Sequence, residues 1–470
     1  MRHGPKALGL VVVLLPVLGG CASARSSGGL TEVQDLLTPR LGQPVQWVAG
    51  TPEDTAVTEA IRNLLASPLT ADSAVQLALL GNRELQGEYE ALGIARADLM
   101  QAGLLDNPVL SAELRFDGAT SVELNVIQNF LNLLTLPARR AIAASSFDQA
   151  QLELGSKVLH VAESVRTTYY RLVADAQVIE LHRQVVEATE AAAELAERQV
   201  RAGTLSRREQ ALHETLYARA VLELAEAETQ LGIDREALNR LLGLWGADTG
   251  WRLPDRLPDV PPAAPPLEGL EALAVTQRLD LAAARKQVEV ASRSLTLGRS
   301  TSVLSVLGLG VSVERDDGTW RKGPAVRLGL PLFDQGQARV ARLEAEVRRH
   351  SQGLAGLAIA IRAEVREAWH QLASAHAAVA HYRTVLLPLN QQILEETQRL
   401  YNGMLVGVYD LLRSKQDQIT TGRDYIGALR RYWVARAELE RALGGPLPTR
   451  SGAATGAANA VAVKEACEQC

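Results

Sequence analysis

Apolar residues recur every three or four positions along most of this chain, a spacing typical of amphipathic helices. The pattern predicts the same order of helices twice: a medium helix, a very long helix and a returning helix. At 1.5 Å per residue a very long helix of this kind extends for about 95 Å, so it must pack on neighbouring helices along its length. The predicted helices are 72–105, 138–201 and 204–242 in the first half and 268–299, 338–401 and 407–443 in the second.

Between the medium and the very long helix of each half, apolar and polar residues alternate, which predicts two β-strands. The first pair is 109–116 and 121–128, and the second is 303–314 and 325–333 with a loop at 315–320 between them. Strands of about 9–11 residues with one apolar and one polar face are typical of transmembrane β-barrels. The residues predicted to face the barrel lumen are Glu113, Arg115, Glu123 and Arg327. Because these residues carry both signs of charge, we expect no strong charge selectivity in the barrel.

Four strands are too few for a barrel, since about eight are needed to close one. A membrane also tolerates no open sheet edge. Either helices cover the sheet or several chains share one barrel. Three chains would supply twelve strands, an even number like that of bacterial barrels.

The chain contains an internal duplication with an offset of about 200 residues. Gly203 aligns with Gly403 at an offset of 200, whereas the offset is 196 near the start of each half and 201 near its end. A proline-rich linker separates the halves, which cover about 74–243 and 269–444. The predicted divisions are a signal peptide (1–20), an anchored segment (21–71), a first repeat (72–253), the linker (254–267), a second repeat (268–445) and a disordered tail (446–470).

The N-terminus predicts export. Positive residues precede a short apolar run that ends in Leu18-Gly19-Gly20-Cys21, which resembles a bacterial lipobox with Cys21 as the lipid attachment site. The alternative is an ordinary secretory signal with an incidental cysteine. Cys467 and Cys470 could bind a soft metal or form a disulfide, but two ligands do not make a site.

Composition narrows the range of functions. Hydrophobic residues make up 47% of the 470 residues and aromatic residues only 4%, so we expect a core of Ala, Leu and Val. The few aromatic residues are predicted to gather at the strands, while the helices do almost without them. The net charge of -5 gives no basic surface for nucleic acid. No catalytic motif and no metal or cofactor site is predicted, so the chain is not expected to be an enzyme.

Several local motifs resemble those of the TolC-like outer-membrane efflux proteins. They are Asn107-Pro108-Val109-Leu110 entering the first strand, Leu330-Pro331-Leu332-Phe333-Asp334-Gln335-Gly336 after the last, and Arg201-Ala202-Gly203 and Tyr401-Asn402-Gly403 at the helix tips. The resemblance implies an α+β membrane protein of the bacterial outer membrane, here a lipoprotein. It implies a homotrimer whose 12-stranded β-barrel continues into a 12-helix periplasmic α-barrel.

The resemblance also implies partners: a periplasmic adaptor (membrane fusion) protein, an inner-membrane pump such as an RND-type transporter, and outer-membrane lipid. Asp410 matches a position where relatives carry an acidic ring, but Arg413 stands where they can carry a second acid. Asp410 and Arg413 are therefore candidate gate residues that could instead pair with each other. The residues implied in closing the duct and docking the adaptor are Gly203, Thr204, Leu205, Ser206, Gly403, Leu405, Val406 and Gly407.

Two other classes of protein fit the sequence less well. A periplasmic coiled-coil adaptor or scaffold lipoprotein would have one helical hairpin beside a separate β domain, whereas this chain has two hairpins with strands inside each repeat. A lipid-anchored enzyme would need a catalytic site. The sequence does not identify the exported substrate, although the C-terminal cysteines hint at metal ions.

Overall fold

The computed structural model describes residues 30–42, 54–116, 120–302, 306–316 and 319–448. Cys21 and the cysteine pair at 467 and 470 lie outside the described residues. The elements in the first half are α1 (Leu30–Leu41), α2 (Asp54–Leu65), α3 (Ala71–Gly81), α4 (Arg83–Ala102), β1 (Val109–Phe116), β2 (Thr120–Asn129), α5 (Phe130–Arg201) and α6 (Arg207–Leu242). Those in the second half are α7 (Leu270–Gln277), α8 (Leu279–Ser300), β3 (Leu307–Asp316), β4 (Thr319–Leu328), α9 (Gln337–His381), α10 (Leu387–Asn402) and α11 (Val408–Leu443).

The two predicted medium helices are each broken in two, so the single helices expected at 72–105 and 268–299 are wrong. The breaks fall at Asn82 and Arg278, where the backbone is extended. Asn82 begins a new helix because its side chain accepts a hydrogen bond from the Leu85 amide at 3.0 Å. The two breaks are equivalent in the duplication, since they are separated by the offset of 196 residues.

The very long helices also differ from prediction. α5 begins at Phe130, eight residues before the expected start, because Asn129 caps it and Pro137 removes only one backbone bond. The second is interrupted by a π-helical turn at Tyr382–Leu386, after which α10 begins beside Pro388. The turn accommodates a proline that cannot donate a hydrogen bond to the preceding turn.

The two hairpins form one antiparallel sheet in the order β1-β2-β3-β4. Within the sheet, the halves therefore meet through β2 and β3, and β1 and β4 are the edges. The second hairpin is shifted from its predicted bounds, and most of the loop expected at 315–320 is strand. Arg315 and Trp320 pair across that hairpin with a cation–π contact of 5.7 Å, which extends the ladder toward the turn.

Aromatic side chains fill the centre of the helical body, so the expectation of helices almost without aromatic residues is wrong. Tyr170 of α5 stacks on Trp433 of α11 with ring centroids 5.1 Å apart, and Tyr432 is buried beside them. Several helices and the linker meet at this point. Large rings fill the wide space that Ala and Leu side chains would leave empty.

The proline-rich linker is held against the second repeat by its carbonyl groups. The indole of Trp433 donates to Pro258 at 3.0 Å, and that of Trp369 donates to Pro265 at 2.8 Å. The His376 ring nitrogen lies 2.9 Å from the Pro261 carbonyl. Proline residues have no amide hydrogen, so neighbouring prolines in the linker cannot donate to these carbonyls. Side chains of α9 and α11 are the donors instead.

Candidate functional site: the helix tips and the sheet

The first helix tip joins α5 to α6 and is fully capped. Gly203 adopts a left-handed conformation with φ of +76°. Ser206 accepts a hydrogen bond from the Glu209 amide at 3.2 Å, and the Glu209 carboxylate accepts one from the Ser206 amide at 3.1 Å. This reciprocal capping lowers the pKa of Glu209, because the bonds from Ser206 favour its charged form.

The second tip joins α10 to α11 by the same backbone turn with different residues. Its left-handed residue is Met404 at φ of 56°, whereas Gly403 has an ordinary φ of -81°. The predicted equivalence of Gly203 and Gly403 is therefore wrong by one residue, and Met404 takes the place of Gly203. The offset of 201 found near the ends of the repeats already applies at the tips.

The predicted docking residues all lie at these two tips, and the structure adds Met404 to them. Met404 and Leu405 are 94% and 74% exposed, so the second tip presents apolar side chains to solvent. Leu205 and Val406 are half-buried within their own turns. An exposed apolar pair at the end of a helical hairpin is suited to contact with another protein.

Asp410 acts as a helix cap in this structure. Its carboxylate accepts a hydrogen bond from the Gly407 amide at 3.1 Å, the same role that Glu209 has in the first tip. Arg413 lies one turn further along α11 and is exposed. Both residues are described, and no ion pair between them is present, so the alternative in which they pair is wrong.

A contact between the tips was missed by sequence reasoning. The Tyr409 ring of α11 stacks on the His213 ring of α6, with centroids 4.1 Å apart and an angle of 17° between the planes. The Tyr409 hydroxyl donates to the Gln199 side chain of α5 at 2.7 Å. Burial lowers the pKa of His213, and Glu209 opposes that shift. The contact shows that both tips lie at the same end of the molecule.

All four residues predicted to face the lumen lie on one face of the sheet. The register aligns Glu113, Glu123 and Glu314 with Arg321 in one row across the four strands. Arg115 bridges the first two carboxylates, at 3.0 Å from Glu113 and 3.8 Å from Glu123. Arg327 shares this face by the alternation of β4. Glu314 and Arg321 were missed because the second hairpin was predicted out of position.

The opposite face of the sheet is apolar and open. Phe116, Val326 and Leu110 are 78%, 68% and 67% exposed. Soluble proteins rarely leave so continuous an apolar surface uncovered. Other exposed side chains of this face are Leu114, Val126, Val311 and Leu328.

Two features are absent from residues 30–42, 54–116, 120–302, 306–316 and 319–448. None of the helices in these ranges has a stretch long and apolar enough to cross a membrane. No group of three or more His, Cys, Asp or Glu side chains in these ranges is placed to hold a metal ion.

Residues 74–244 match the family model described as outer membrane efflux protein. That range coincides with the first repeat of the duplication. Over this range the chain is similar to outer membrane efflux proteins. A curated relative, the cobalt-zinc-cadmium resistance protein CzcC of Cupriavidus metallidurans, is 22% identical over 405 residues, which cover 84% of this chain and 95% of the relative.

Solved structures of bacterial membrane proteins share the fold. A membrane protein from Pseudomonas aeruginosa matches with a TM-score of 0.66 and 17% identity, over 82% of this chain and 93% of that one. The CmeC outer membrane channel of Campylobacter jejuni has a TM-score of 0.65 and 14% identity, over 84% and 86% of the two chains. VceC of Vibrio cholerae has a TM-score of 0.63 and 17% identity, over 84% and 97%. The predicted fold class is confirmed.

Proposed function

We propose that this protein is the exit duct of a tripartite efflux pump and passes substrate passively from an inner-membrane transporter to the exterior. The observation that carries the proposal is the four-stranded sheet, which has two edge strands and an exposed apolar face. Such a sheet is incomplete in one chain. A membrane and further copies of the chain supply what it lacks.

Three copies complete the barrel if β4 of one chain pairs with β1 of the next. The apolar face then meets lipid and the polar face lines the lumen. The row of Glu113, Glu123 and Glu314 would be repeated in each chain and form a ring around the lumen. Arg115, Arg321 and Arg327 would offset its negative charge. The long helices below the sheet would form the periplasmic cylinder of the same homotrimer.

The far end of that cylinder is the proposed meeting point with the partners. The two tips would dock a periplasmic adaptor protein, with Met404 and Leu405 as the apolar contact. Asp410 and Arg413 would line the aperture that closes the duct, with an RND-type pump beyond it in the inner membrane. Cys21 would carry the lipid that anchors the N-terminal segment, 21–71, to the outer membrane.

We propose divalent transition-metal cations as the substrate. The support is the relative from C. metallidurans, which is named for cobalt, zinc and cadmium resistance and matches along 95% of its length. Selection among ions would lie mainly in the inner-membrane partner, since the sheet's polar face carries both signs of charge.

Separate measurements test the duct, its substrate and its lipid anchor. The full-length protein, purified in mild detergent, should have the mass of three copies and should conduct ions across a planar bilayer. A monomer that gives no conductance would contradict the duct. Metal tolerance of cells that lack this component tests the substrate: restored zinc and cobalt tolerance supports it, and restored drug tolerance alone contradicts it. Cys21→Ala should lose the lipid but keep the conductance.

A further inference from the structure

We propose that Tyr409 and His213 form a proton-responsive contact that holds the second helix tip against the first hairpin. This inference rests on the proposed closing of the duct at its tips, and it names a regulation of that same site.

The contact joins three helices within a small volume. Tyr409 is the second residue of α11, and its hydroxyl reaches Gln199 near the end of α5 at 2.7 Å. Its ring covers the His213 imidazole, two turns into α6, at 4.1 Å. The structure describes 185–215 and 395–415 throughout, and within them no other hydrogen bond or ion pair joins the two hairpins. Within those ranges this contact is therefore the polar link between the second tip and the first hairpin.

The imidazole is the part of the contact that responds to pH. The half-buried ring faces the Tyr409 phenol from α11, whose hydroxyl bonds to the neutral Gln199 amide on α5, and Glu209 is the carboxylate near the ring on α6. Burial lowers the pKa of His213 despite Glu209, so the neutral ring is the form that fits the stack. The stabilisation is present above the ordinary pKa of about 6.5 and is lost as pH falls through the lowered value.

Protonation would also affect the first tip. A charged His213 is attracted to Glu209, whose carboxylate already accepts hydrogen bonds from the Ser206 amide and hydroxyl at 3.1 and 2.7 Å. The attraction of charged His213 competes with the hydrogen bonds from Ser206 for the same Glu209 carboxylate. Acid should therefore release Tyr409 and weaken the adjacent cap together, so that α11 moves more freely at its first turn.

Hydrogen exchange on the purified full-length protein tests the contact. Amides 404–412 should exchange faster at pH 5.5 than at pH 7.5, after correction for intrinsic rates, by roughly two- to ten-fold, the range that one aromatic pair implies. His213→Ala should show the fast rate at both pH values. His213→Phe keeps a stacking ring that cannot be protonated, so it should show the slow rate at both.

The matched control is Tyr217→Phe. The Tyr217 hydroxyl donates to Glu190 at 3.3 Å within the first hairpin alone, so its loss should leave the exchange of 404–412 unchanged. Tyr409→Phe removes the bond to Gln199 and should raise that exchange. Equal exchange in wild type, His213→Ala and His213→Phe at both pH values would overturn the proposal.

Bilayer conductance separates this inference from the proposed function. If the wild type conducts, His213→Phe should abolish the increase in open time that acid produces, and an unchanged increase would contradict the regulation. If the wild type does not conduct, the duct proposal fails, and hydrogen exchange still decides whether the contact responds to protons.

Discussion

The two ends of the helical hairpins make the same backbone turn in opposite surroundings. Gly243 and Gly444 end α6 and α11 in the left-handed conformation, at φ of +70° and +76°. Gly203 and Met404 do the same at the tips, at +76° and 56°. A Cβ atom added at Gly243 would lie 2.0 Å from the Gly81 carbonyl oxygen, whereas one added at Gly203 would meet nothing within 4 Å.

The difference shows where the molecule is rigid. Where α6 ends, still one 20-residue helix (α4) away from the sheet, the backbones of α3 and α6 touch, and no side chain fits between them. Toward the tips the packing thins: the buried residues of α11 begin at Ile419, and α10 has none. The proposed opening of a duct at its tips would require a firmly packed region and a loosely held one, and the surroundings of Gly243 and Gly203 differ in that way.

The largest loss of stability should come from adding a side-chain atom at Gly243, where α3 and α6 are in close contact. Gly243→Ala adds a clash with Gly81 to the strain of a left-handed alanine, so we expect a loss of roughly 3 kcal/mol or more. The thermal midpoint of the purified protein measures it. Gly232→Ala, inside α6 with open space around it, is the control and should be neutral or slightly stabilising. Equal midpoints for the two variants would show that the close approach is absent.

An intermediate effect on stability is expected at the Asp175–Arg430 pair, between the densely packed region and the helix tips. Asp175 of α5 pairs with Arg430 of α11 at 3.0 Å, yet burial and the nearby Asp234 carboxyl raise its pKa. A raised folded pKa means that the stability Asp175 contributes is complete below about pH 3.9 and declines as pH rises through the folded value.

Asp175→Asn should therefore flatten the dependence of thermal midpoint on pH in this range and leave the variant at least as stable as wild type at pH 7. Thermal scans between pH 4 and 8 measure it. Asp248→Asn, at an exposed position, is the control and should follow the wild-type profile. A variant that is less stable than wild type at every pH would show that the ion pair with Arg430 outweighs burial.

The smallest changes in stability should come from substitutions at the two helix tips. Gly203→Ala should cost about 1 kcal/mol, because the strain of the left-handed turn comes without a clash. Met404→Gly relieves the same strain and should gain less than about 1 kcal/mol, since glycine also loses more entropy on folding. Chemical denaturation measures both. Opposite signs support the shared geometry, and a destabilised Met404→Gly would show that its side chain contributes contacts.

The sequence predicted what depends on local pattern. Alternation placed Glu113 and Glu123 on one face of a strand pair, and helical periodicity identified both hairpins. The register of the second hairpin was not predictable in this way, because its end depends on the Arg315–Trp320 pair rather than on alternation. Met404 was not predicted because residue type does not indicate a left-handed conformation at a methionine. The Tyr409–His213 stack joins residues far apart in sequence, and only the assembled helices bring them together.

The proline-rich linker has a consequence for the order of assembly. It is synthesised before α9 and α11, the two helices that donate hydrogen bonds to it, and it is already tied to the first repeat by the Leu257 amide, which donates to Gln177 at 3.2 Å. Because synthesis starts at the N-terminus, the linker can pack on the first repeat before α9 and α11 are made. Trp369 and Trp433 then align the second repeat against it, so that the first repeat guides the folding of its own duplicate.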